Sequence, residues 1–102
     1  MGSSSVYSCI LSAKAQKEIS VSWNWYEDRL QGLGDRFVKE VTNEIFKIQQ
    51  RPKIYSIRYK NYRQKKMETF PFLIIYRIND RPKIIRIISV FHTSRNPKGK
   101  YG

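Results

Sequence analysis

His92 is the only histidine in the 102-residue chain. It is therefore the only side chain whose ordinary pKa lies near neutrality, which suits a general acid or base. A structural reading competes with the chemical one: His92 closes an apolar segment, where its ring would hydrogen-bond the backbone and hold the following residues in place. Upstream stand Arg58, Lys60, Arg63, Lys65, Lys66, Arg77 and Arg86, with Tyr59, Tyr62 and Tyr76 among them, and Arg95 follows in "HTSRNP". Cations that hold phosphates, interleaved with rings that stack on bases, make a surface suited to nucleic acid. The tyrosines have an equal claim to the core. If residues 62–68 and 72–79 are neighbouring antiparallel strands, the cations around Arg63 and Arg77 gather on one surface.

The distribution of charge favours binding for this cluster. Residues 1–50 carry six Lys/Arg and six acids, whereas residues 51–102 carry fourteen Lys/Arg against only Glu68 and Asp80, so the whole net charge of +12 belongs to the second half. Such a field attracts a polyanion or an acidic protein. One cysteine, Cys9, and one histidine cannot complete a metal site, so no metal and no cofactor is expected. Cys9 lies in an apolar stretch and reads as a buried, inert thiol in a reducing cytoplasm. No apolar run approaches the ~18–20 residues that span a bilayer, and neither a membrane partner nor a small-molecule substrate is expected. Met1 to Ser5 read as a remnant of expression engineering, residues 6–98 as one domain, and residues 99–102 as a polar tail.

The elements that must position these residues follow from periodicity. "VYSCIL", residues 6–11, alternates as a first strand, and Ser12 is placed to cap a helix from Ala13. Ala15, Ile19, Ser22, Trp23, Tyr26 and Leu30 form one helical face. Trp23 and Trp25, two apart, cannot both point inward. Gly32-Leu33-Gly34 ends that helix, and Leu33, Phe37, Val38, Val41, Ile45 and Ile48 mark the next, which stops before Pro52. Residues 62–68, 72–79 and 84–91 read as strands, with Asn79 to Pro82 as a turn and Phe70 packing inward ahead of Pro71. The order β-α-α-β-β-β implies an α+β fold. An N-terminal strand leads into a two-helix antiparallel hairpin, packed on one face of a small, mainly antiparallel sheet of three or four strands. One hairpin covers one face, and the other face is where a partner or site is sought.

Four segments in order, "LSAKAQKEI", "LGDRFVKEV", "YRQKKMETFPFLIIYRI" and "IIRIISVFHTSRNP", resemble the RelE/ParE superfamily of bacterial type II toxin–antitoxin toxins. The pairing "FPFLIIY … VFHTSRNP" is closer to the ParE, or plasmid-stabilisation, branch. The resemblance implies a compact growth inhibitor that acts on DNA gyrase and is neutralised by a small acidic antitoxin whose disordered segment folds onto it. Arg58, Lys60, Tyr62, Arg63, Lys65, Lys66, Arg77, Arg86, His92 and Arg95 are then the residues expected to hold target or antitoxin. The RelE branch implies the alternative, a ribosome-dependent mRNA endonuclease that cleaves without a metal. Arg63 would then clamp phosphate, and His92, Arg95 and Tyr101 would be candidates for the tail chemistry. Thr93-Ser94 departs from that branch, which often adds a basic residue directly after the strand. A further alternative is a degenerate member that binds its antitoxin without toxicity.

Overall fold

Ser12 joins the first strand, the first helix and the sheet. Its Oγ accepts the Ala15 N–H at 3.0 Å, which caps helix α1 (Ala13–Arg29), and donates to the Ile88 carbonyl at 2.8 Å. The computed structural model describes residues 7–94. Strand β1 (Ser8–Leu11) precedes α1, and helix α2 (Leu33–Gln50) follows it. The turn between the helices uses Gly32 at φ 89°, a left-handed conformation that suits glycine. Gly32 offers no capping side chain. Glu27 of α1 takes that role: its two carboxylate oxygens accept the Gly32 and Gly34 N–H groups at 2.7 and 2.9 Å, and a negative charge at a helix N-terminus is favourable. α2 ends at Gln50, two residues before Pro52, which opens a 3-10 turn, Pro52–Ile54.

Four more strands follow: β2 (Ile57–Tyr59), β3 (Tyr62–Lys66), β4 (Phe72–Asp80) and β5 (Lys83–His92). The sheet order is β1-β5-β4-β3-β2, with β1 parallel to β5 and the remaining pairs antiparallel. The sheet thus has five strands where three or four were expected. The strand not foreseen is β2. It has only three residues, all exposed, so it carries no alternation to read. β4 and β5 are joined by Arg81-Pro82, whose peptide bond is cis, between the paired Asp80 and Lys83.

Both helices pack on one face. Phe72, Ile74 and Tyr76 of β4 and Ile85, Ile87 and Val90 of β5 meet Ala15 of α1 and Phe37, Val41, Ile45 and Ile48 of α2, all buried. Tyr26, Phe37, Phe70 and Phe72 form an aromatic cluster with centroid separations of 4.8 to 6.4 Å, a range that favours edge-on and tilted contacts. Trp25 is half exposed and stacks under Arg29, whereas Trp23 is partly buried and its Nε1–H donates to Asp35. Leu30, expected on the apolar face of α1, is 59% exposed because it is the extended C-cap residue beyond the last turn.

β5 contains a bulge. Ile75 pairs with Ser89 and Tyr76 with Ile87, leaving Ile88 as an extra residue. The inward set on β5 is therefore Ile85 and Ile87 before the bulge, then Val90 and His92 after it.

The close approach of α1 and α2 rests on Gly34. A Cβ there would lie 2.7 Å from the Trp23 carbonyl oxygen and 2.8 Å from Trp23 Cδ1. Replacing a helical glycine by alanine ordinarily stabilises by about 1 kcal/mol. Here overpacking of about 1–3 kcal/mol outweighs it, so Gly34→Ala lowers the urea midpoint. Gly34→Ala as stable as the parent protein would mean that the helices separate freely at this crossing.

Candidate functional site

Register divides the expected cations into two sets. On β3, Arg63 pairs with Tyr76 and Lys65 with Ile74, both core residues, so these two cations lie on the helix side of the sheet. The Arg63 guanidinium donates to the Tyr55 and Lys53 carbonyls at 2.7 and 3.1 Å. The Lys65 ammonium meets the buried Glu44 carboxylate and lies 5.3 Å from the Tyr55 ring centroid. Both therefore tie β3 to α2 and to the 3-10 turn. Tyr76 is in the core as well: its hydroxyl donates to the Pro52 carbonyl at 2.6 Å, and burial pushes its pKa up.

Arg77 and Arg86 fall on the opposite face, directly across from each other. Arg77 follows core Tyr76, and Arg86 lies between core residues Ile85 and Ile87. Lys66, paired with Leu73, shares that face. Tyr62 pairs with Tyr59 of β2, and their rings stack at 6.2 Å with planes 5° apart. Lys60, at the tip of this hairpin with φ 49°, lies 5.3 Å from the Tyr59 ring centroid, and exposed Arg58 stands beside them on β2. Arg63 and Arg77, expected on one surface, thus lie on two. The helix-free side brings together Tyr62, Lys66, Arg77 and Arg86, with Arg58 and Lys60 at its edge.

His92 is the last residue of β5 and belongs to the helix side, paired with Phe72. Its ring meets Phe72 edge-on at 4.9 Å, and its Nδ1 accepts the Ser94 N–H at 3.1 Å. That bond leaves the proton of the neutral ring on Nε2. His92 borders a groove of about 440 Å³ with Val21, Trp25, Tyr26, Pro71 and Phe72. Val21 and Trp25 are exposed, four residues apart on α1, and adjoin the inward stripe. Their spacing was visible in the sequence, but only the fold places them beside His92. Arg95 and Tyr101 lie outside the described residues. Among the described residues no His, Cys, Asp and Glu group could hold a metal ion. Cys9 is half-buried against the core, which raises its thiol pKa.

The Phe70-Pro71 segment bordering this groove is held by Glu40 of α2, whose carboxylate accepts the Thr69 and Phe70 N–H groups at 2.9 and 3.3 Å. Burial alone would raise its pKa, but these backbone donors outweigh burial and hold it below the ordinary value. A depressed folded value stabilises the protein above the unfolded pKa, and the contribution is lost as pH falls through the folded one. The thermal midpoint should therefore fall from about pH 5 downward, and Glu40→Gln should flatten that acid limb. Parallel limbs for the two proteins would show that Glu40 does not hold the segment. For Arg63, substitution by Met leaves two carbonyls without their charged donor. It should cost about 1.5–3 kcal/mol in urea unfolding, and an unchanged midpoint would release Arg63 for a ligand.

No helix among the described residues is long and apolar enough to cross a membrane. No curated protein matches the sequence. A solved structure of the chromosomal ParDE TA system from P. aeruginosa is similar in fold, with a TM-score of 0.77 at 17% identity, covering 89% of this chain and 100% of that one. Residues 9–97 match the family described as the ParE toxin of type II toxin-antitoxin system, parDE. With nearly its whole length inside that match and its helical hairpin laid on one side of the sheet, the chain belongs to the ParE toxin family.

Proposed function

We propose that this type II toxin inhibits growth in the cytoplasm by acting on DNA gyrase, and that a small acidic antitoxin neutralises it. The carrying observation is that Arg63 and His92, the two of the expected nuclease residues that lie among the described ones, do not converge. Arg63 is spent on the Lys53 and Tyr55 carbonyls, whereas His92 is engaged by Ser94 at the far end of the same side. Arg77, Arg86 and Lys66, which have no acid partner among the described residues, lie on the opposite face. That layout serves binding of an anionic partner better than proton transfer at a phosphate. The surplus of +12 supplies long-range attraction for an acidic antitoxin, so their association should weaken as salt rises.

Expression without the antitoxin is the test. Labelled thymidine incorporation should fall first and cells should form filaments, while labelled methionine incorporation persists. A combined His92→Ala and Tyr101→Phe protein should remain toxic. Immediate arrest of protein synthesis, abolished by those two changes, would replace the gyrase reading with an mRNA endonuclease. Absence of any growth defect would identify a member that binds its antitoxin without toxicity.

A further inference from the structure

One transverse row of the sheet concentrates charge and aromatic surface on the face without helices. Ile10 of β1 pairs with Arg86 of β5, and Arg86 pairs with Arg77 of β4. The β3–β4 register pairs Arg63 with Tyr76, so one residue further it sets Tyr62 beside Arg77, and Tyr62 pairs with Tyr59 of β2. Paired residues share a face, so Ile10, Arg86, Arg77, Tyr62 and Tyr59 form a line across all five strands, spaced about 4.8 Å apart.

The centre of that line is unfavourable as a purely structural arrangement. Two arginines directly opposite repel each other. No acid among the described residues pairs with either, although Asp80, Glu44 and Glu68 all hold lysines elsewhere. The Nε of Arg77 is buried and has no hydrogen-bond partner. A buried donor left unmade is costly, and this one belongs to a cation. The repulsion and the missing counter-charge are both relieved if a single oxyanion bridges the two guanidinium forks.

We propose that Arg77 and Arg86 together bind a backbone phosphate of single-stranded nucleic acid, at the middle of the helix-free face. Guanidinium forks match phosphate oxygens in a bidentate manner. A phosphodiester is favoured over a carboxylate because the same row continues into the parallel Tyr62 and Tyr59 rings, one and two strands away. That is the distance scale from a phosphate to its own base, and aromatic residues are what bases meet. The inference goes beyond the toxin reading and does not depend on it, since the binding is measured on the purified protein alone.

The test is fluorescence anisotropy with a labelled oligothymidylate of about ten nucleotides, titrated from about 50 to 200 mM salt. Arg77→Gln/Arg86→Gln should weaken binding at least tenfold and reduce the salt slope by about 0.7, as expected when one phosphate contact on a single strand is lost. Arg77→Lys/Arg86→Lys should keep the slope yet still lose several-fold in affinity, because the forks are gone. Lys17→Gln/Lys39→Gln removes the same charge from the exposed helix surface and should lose less than threefold. The thermal midpoint of the Gln pair should be equal to or above that of the parent protein, since a repulsion is removed. Equal losses from the helix and sheet pairs would overturn the proposal in favour of diffuse attraction. A labelled polyglutamate of matched charge that binds more tightly than the oligonucleotide, and loses affinity with the arginines, would reassign the site to an acidic peptide.

Discussion

The fold turns on how α1 grips the bulge in β5. Glu18 is buried, and a buried carboxylate is tolerable only when its oxygens are satisfied. Its Oε1 accepts the Ser89 hydroxyl at 2.8 Å and the Val90 N–H at 2.9 Å, while Ser12 at the start of the same helix donates to the Ile88 carbonyl. The bulge frees backbone groups of a central strand that regular pairing would have used. α1 then supplies their partners. Helix and bulge thus each satisfy groups that the other leaves open, and this sets where the helical layer lies on the sheet.

The consequence for function is one of parity. In an uninterrupted β5, residues 86 and 92 would point the same way, because strand side chains alternate with a period of two. The extra residue at Ile88 reverses that alternation. Arg86 therefore faces away from the helices, and His92 faces the groove beside Trp25 and Tyr26. The only histidine and the arginine pair are separated by the thickness of the sheet. An acid–base residue and a phosphate-holding pair do not form one active centre, although they lie only six positions apart in the chain.

A similar division governs β3. Arg63 and Lys65 alternate with Tyr62, Gln64 and Lys66, so one set must face the helices. A cation on that side needs a partner. Lys65 has the Glu44 carboxylate, and Arg63 has the carbonyls of Lys53 in the 3-10 turn and of Tyr55 just after it. Two of the cations expected at a binding surface thus serve the interior, and the surplus of the second half is concentrated further on the remaining face.

The sequence by itself determined the helices, their stop signals at Gly32 and Pro52, the three long strands and the sign and location of the charge. These follow from local periodicity and composition, which neighbouring residues express whatever the chain does at long range. Ser12 as a cap and Phe70 as a core residue were legible for the same reason. Tertiary structure alone decided that a three-residue edge strand completes the sheet, that β1 lies parallel beside β5, and which cations share a face. Those outcomes depend on register, and a shift or bulge of one residue moves every later side chain to the other side at no cost visible in the local pattern. The pairing of Arg77 with Arg86, and the loss of Arg63 and His92 from their surface, were settled by contacts between residues distant in the sequence, above all Glu18 with Ser89.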